Sequence, residues 1–153
     1  QDAGNWVGIL FGIYNGVSAV IALLLPIVAK KIGKKATHAS ALVIGGISFL
    51  SFQIIPDANL LIIPMVGIGI AWGSILAMPY AMLANTIPAK QMGVFMGLFN
   101  MSITIPQIVN GLTGGLILKY LLYNNPINSI LMAGVSMIIA AGFTFMVKEK
   151  KVD

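Results

Sequence analysis

The chain has 153 residues, 58% hydrophobic and 8% charged, against about 25% charged in an ordinary soluble domain, which excludes a soluble globular fold. Its net charge of +5 comes from lysines alone, with none of the arginine-rich or aromatic-interleaved basic patches that nucleic-acid binding needs, so no nucleic-acid partner is expected. With no cysteine and one histidine, it has no disulfide framework and no metal cluster, and no cofactor is expected.

Stretches free of Asp, Glu, Lys and Arg run over 3–29, 36–56, 58–89, 91–118 and 120–147. Each can hold the roughly 20-residue helix that crosses a bilayer core. Lipid offers the backbone no hydrogen-bond partner, so a span must be a helix or a closed barrel strand. The runs lack the alternating polarity of barrel strands. An all-α membrane protein is therefore expected, a single transmembrane domain over 1–153. Its five spans fall at about 5–29, 37–55, 60–87, 92–121 and 129–147, in contact with membrane lipid.

Lys30, Lys31, Lys34 and Lys35 follow the first span, Lys90 the third, and Lys148, Lys150 and Lys151 the fifth. The turn after the second span carries Asp57, and the turn after the fourth carries Lys119. Basic residues thus collect on alternate connections, as in the positive-inside pattern. This predicts residue 1 outside and a cytoplasmic C-terminus, in a bacterial inner (plasma) membrane. A start without methionine and an odd number of spans read as a fragment.

The first span carries Gly8, Gly12 and Gly16, a ridge that lets another helix approach closely, with Asn15 between Phe11 and Ser18 on one face. Asn15 suits either a bond to a neighbouring helix or a polar site with an aromatic wall. A basic loop, KKIGKK, follows, and His38 beside it reads as an exposed loop histidine. The second span is plain, and PDAN (56–59) is a turn. The third holds Gly67, Gly69 and Gly73, then Trp72, Pro79, Tyr80 and Asn85. Pro79 removes one helical hydrogen bond and should kink the span. Trp72 and Tyr80 lie close to one face and suit either packing or stacking on a sugar ring.

In the fourth span Asn100, Thr104, Gln107 and Gly111 fall along one face at about 100° per residue, with Pro106 inside the stripe. An amide unpaired in hydrocarbon costs several kcal/mol, so the stripe must face protein or water. It serves either as interhelical glue or as the wall of a polar cavity. Pro106 is either a tolerated kink or a bend used in gating. The fifth span is nearly all apolar and reads as a peripheral, lipid-facing helix. Spans one, three and four should line something polar, while two and five hold the outside of the bundle. The acids Asp2, Asp57, Glu149 and Asp153 are all terminal or in turns. Proton coupling usually rests on an intramembrane carboxylate, so any such group must lie elsewhere.

Two stretches resemble the major facilitator superfamily. PIVAKKIGKK (26–35) resembles its cytoplasmic loop motif, roughly G-x-x-x-D-R-x-G-R-K. Lys31, Gly33, Lys34 and Lys35 match in kind, while Pro26 replaces the motif glycine and Lys30 its acid. PYAMLANTIPAKQMGVFMGLFNMSITIPQIV (79–109) resembles the tenth and eleventh helices of sucrose-type proton symporters and their glycoside–cation symporter relatives. The resemblance implies helices eight to twelve of a bundle of about twelve, working by alternating access between two halves. It also implies that the coupling ion, a proton, binds in the N-terminal half.

Residues and resemblance together assign Asn100, Thr104 and Gln107 to the hydroxyls of a small-molecule sugar substrate. Asn15 joins them from the first span, with Trp72 or Tyr80 as a stacking wall, and Pro79 and Pro106 permit the rocking. The expected function is transport of a neutral sugar or glycoside, without enzymatic chemistry. The alternatives are a small membrane subunit that uses the amide stripe for helix assembly, and a superfamily transporter of a non-sugar solute. Neutral amides and hydroxyls suit a polyol better than an ion.

Overall fold

The computed structural model describes residues 3–147. The C-terminal Lys148, Lys150 and Lys151, on which the cytoplasmic placement of the C-terminus partly rests, lie outside the described residues. Five α-helices follow one another: α1 Ala3–Ile32, α2 Lys34–Ser51, α3 Ile62–Ala84, α4 Met92–Tyr120 and α5 Pro126–Thr144, with no strand among the described residues. Four of them, α1, α3, α4 and α5, are long and apolar enough to cross a membrane. The fifth, α2, has 18 residues and opens on Lys34 and Lys35, which lowers its mean hydropathy.

The basic KKIGKK stretch is not a loop. α1 runs on through Lys30 and Lys31 to Ile32, α2 starts at Lys34, and only Gly33 between them is non-helical. Gly33 has φ +86° and ψ 154°, a region that only glycine occupies cheaply because a Cβ would clash with the backbone. Its N–H donates to Ala29 O at 2.9 Å, and its carbonyl accepts from Thr37 N at 3.0 Å and Thr37 Oγ1 at 2.7 Å. The carbonyl of one residue thus takes the hydrogen bonds that start the next helix.

The other turns follow their local chemistry. Asp57 accepts from Asn59 N at 2.9 Å and opens a short 3₁₀ turn, Ala58–Leu61. Between α4 and α5, Tyr123 and Asn124 both have φ 55°. Asn125 then caps α5 by accepting from Ile127 N at 3.2 Å, with Pro126 in the first turn, where its missing N–H costs nothing. Trp6 Nε1 donates to Ala58 O at 2.9 Å, so the start of α1 lies at the same end of the bundle as the α2–α3 turn.

α3 packs against α1 and α2, and α2 packs against α5. The expectation that the second span lies outside is corrected: α2 has a helix on two sides, and Thr37, His38, Ala39, Ala41, Leu42, Gly45 and Gly46 are buried. Ala39, Leu42 and Ala141 form the core cluster, with Ile75 and Met137 packed on it. The glycine ridge Gly8–Gly12–Gly16 also departs from expectation. A Cβ at any of the three would meet nothing within 4 Å. The close approach comes from α3 instead, where a Cβ at Gly69 would sit 2.7 Å from Tyr14 O and one at Gly73 2.9 Å from Ser18 O. α4 buries no residue.

Candidate functional site

The polar and aromatic residues singled out in the sequence fall into two groups on either side of Pro79. In the first, Trp72 of α3 meets Tyr14 of α1 edge-to-face with ring centroids 6.5 Å apart. Tyr14 in turn meets Phe11 at 5.5 Å. Asn15 lies beside them, exposed, but its amide nitrogen donates to Phe11 O of its own helix at 2.8 Å. That bond leaves its Oδ1 without a hydrogen-bond partner among the described residues.

In the second group Tyr80 of α3 packs edge-to-face on Phe99 of α4, centroids 4.9 Å apart. The Tyr80 hydroxyl donates to Asn100 Oδ1. Such ring pairs contribute about 0.5–1.5 kcal/mol beyond their buried area. This clasp is a direct tie between α4 and α3. It leaves the two Nδ2 hydrogens of Asn100 as free donors and the Tyr80 oxygen as an acceptor. Trp72 and Tyr80 are eight residues apart, about 12 Å along the helix axis.

Thr104 and Gln107 stand on α4 beyond the clasp, both exposed. Ser102 and Thr113 donate to Phe99 O and Val109 O of their own helix, each at 2.7–2.8 Å. Neither Thr104 nor Gln107 makes a side-chain hydrogen bond among the described residues. The stripe therefore presents unspent donors and acceptors along about two turns below the clasp. Pro79 and Pro106 both lie inside continuous helices. Each removes the N–H that the carbonyl four residues earlier would accept, at Ile75 and Ser102.

The structure brings Tyr80 and Asn100 together and sets Trp72 against α1 near Asn15. It does not bring Thr104 or Gln107 against another helix. A cavity of about 340 Å³ between α4 and α5, lined by Asn110, Gly114, Ser129, Met132 and Ser136 among others, includes none of the residues named for substrate.

The basic end carries its own contacts. Lys34 Nζ donates to Ala81 O at 3.0 Å, one of the last four carbonyls of α3, which have no partner within the helix. A cation there also faces the negative end of the helix dipole. His38 is buried in the α2–α3 seam with Nδ1 2.9 Å from Ser74 Oγ, which corrects its reading as an exposed loop residue. The lysine run obscured this, because it suggested a loop where α2 had already begun. The sequence signal was there: positions 34, 38, 41/42 and 45 recur at helical spacing and turn from polar to small and apolar. Tyr14 and Phe99 supply aromatic contacts that single-span reading passed over, since their partners lie on other helices.

A family model described as Major Facilitator Superfamily matches residues 3–153. No curated protein and no solved structure matches the chain.

Proposed function

We infer that this chain, which belongs to the major facilitator superfamily, forms part of the wall along which a neutral sugar or glycoside crosses the membrane. Its four long apolar helices and its family make it an integral, multi-pass membrane protein of the transporter class. The sugar reading rests on the junction of α3 and α4. There an aromatic pair and an oriented amide meet, and Thr104 and Gln107, exposed and uncharged, continue the same face of α4 by helical spacing. Ring faces accept the apolar side of a sugar, and neutral amides exchange hydrogen bonds with its hydroxyls. Amides left in hydrocarbon would cost several kcal/mol each, which favours a water-filled or substrate-filled space beside α4.

The resemblance of residues 79–109 to the tenth and eleventh helices of sucrose-type symporters supports placing the chain as helices eight to twelve of an alternating-access bundle. The acids of this chain are Asp2, Asp57, Glu149 and Asp153, none inside a span, so a coupling carboxylate belongs to another part of the transporter. The test is uptake of a panel of neutral sugars and glycosides by proteoliposomes of the complete transporter, with and without an inward proton gradient. Gln107→Ala and Tyr80→Phe should each raise the KM or lower uptake at unchanged expression. Unchanged kinetics in both variants would reduce the stripe to packing. Uptake of a nucleoside or peptide in place of every sugar would overturn the substrate class.

A further inference from the structure

Lys34 and His38 stand one turn apart on the face of α2 that meets α3, and each makes a bond across the seam. His38 is the sole histidine of the chain. It is 8% exposed and its partner Ser74 is 0% exposed. Buried polar side chains hold their places when paired, and here the imidazole and hydroxyl satisfy each other. No buried side-chain nitrogen or oxygen among the described residues lacks a partner. The far ring nitrogen, Nε2, bonds no neighbour among them and so keeps access to its surroundings at the basic end.

Among the described residues, the charged side chains at this end of α1 and α2 are of one sign. α2 brings Lys34 and Lys35, and the end of α1 brings Lys30 and Lys31. α5 has no ionisable side chain over Pro126–Thr144, and the one on α3, Tyr80, is turned to Asn100. Asp57 belongs to the turn at the opposite end. Glu149 and Asp153 lie outside the described residues. Imidazole is the side chain that changes charge between about pH 5 and pH 8. One proton from water, added to whichever ring nitrogen is bare, makes both nitrogens donors and places a cation in the seam. A buried charge without a counter-charge is costly, and the ring relieves that cost by moving toward water.

We propose that His38 is a proton-binding site that sets how tightly α2 and α3 are joined at the basic end. With the ring neutral, the bond to Ser74 holds the seam closed; with the ring protonated, the seam loosens. Ser74 lies on α3 between Trp72 and Tyr80, so loosening it shifts the helix that carries both aromatic groups. The proposal stands apart from the identity of the transported solute, because its readouts are structural.

Within residues 1–153 there is one histidine and no cysteine, so this chain contributes a single imidazole signal and no background thiol. The complete transporter, with any histidine or cysteine outside this chain replaced, labelled with ¹³C,¹⁵N-histidine and carrying no polyhistidine tag, is placed in nanodiscs and titrated from pH 8 to pH 5 by NMR. In parallel, spin labels on Lys35→Cys and Asn85→Cys report the distance between the two helices. The ring should titrate once in this window, and the distance distribution should widen with the same midpoint. His38→Gln can still bond Ser74 but cannot titrate, and should keep the pH 8 distribution throughout. Ser74→Ala should show the wide distribution already at pH 8. The proposal is overturned by a ring that does not titrate, by titration without a distance change, by pH-dependent widening in His38→Gln, or by a narrow pH 8 distribution in Ser74→Ala.

Discussion

Replacing Gly69 by alanine should separate α1 from α3. The added Cβ would lie 2.7 Å from Tyr14 O and 2.8 Å from Val17 Cβ. Neither obstacle can rotate away, since one is backbone and the other is fixed to it. To reach ordinary contact at 3.4 Å, the helices must part by about 0.7 Å at this point. A gap of that size forfeits about a quarter to a half of each dispersion contact along the seam. Overpacking of this kind costs about 1–3 kcal/mol, and two rigid obstacles place Gly69 at the upper end. Alanine returns about 1 kcal/mol through its better helix propensity.

The net loss is therefore about 2 kcal/mol, or about 30-fold in the folding equilibrium. Gly12→Ala is the control: its Cβ meets nothing within 4 Å, so it should keep the propensity gain of about 1 kcal/mol. Reversible unfolding in mixed micelles, followed by tryptophan fluorescence, reads both, and Trp72 reports on the same α1–α3 seam through Tyr14. Equal stability of the two variants would refute the close-packed seam.

Gly33→Ala and Gly33→Asn should each destabilise the chain by about 1–3 kcal/mol in the same unfolding assay. Asparagine brings no relief because ψ 154° lies outside the left-handed region it tolerates; wild-type stability for either variant would count against the one-residue joint. Lys34→Met should cost about 0.3–1 kcal/mol at low salt by removing the cation from the end of α3. Lys34→Arg should recover most of it, and a Met variant as stable as the parent would show that the Ala81 contact carries no weight.

Much of the helix order was legible in the residues because the constraint behind it is local. An uncharged run of sufficient length must satisfy its own backbone in lipid, whatever its neighbours are. The α4 stripe was legible for a related reason: helical periodicity places Asn100, Thr104 and Gln107 on one face before any partner is known. His38 and the glycines were not legible in the same way. The spacing of Gly8, Gly12 and Gly16 is more regular than that of Gly67, Gly69 and Gly73 in α3, yet only the latter meet another helix. Spacing states that a surface is flat enough for close approach; it does not state which surface finds a partner.

Composition and charge placement by themselves determined that the chain is helical and membrane-bound, and which helix faces are polar. Both follow from the cost of exposing backbone or amides to hydrocarbon, residue by residue. Only the tertiary structure decided that α2 lies between α3 and α5, that α4 is tied to α3 through the Tyr80–Asn100 bond, and that His38 is paired with Ser74 in a seam. Those outcomes depend on which surfaces come together across long separations in sequence, and close packing rewards one such pairing over others that local pattern leaves equal.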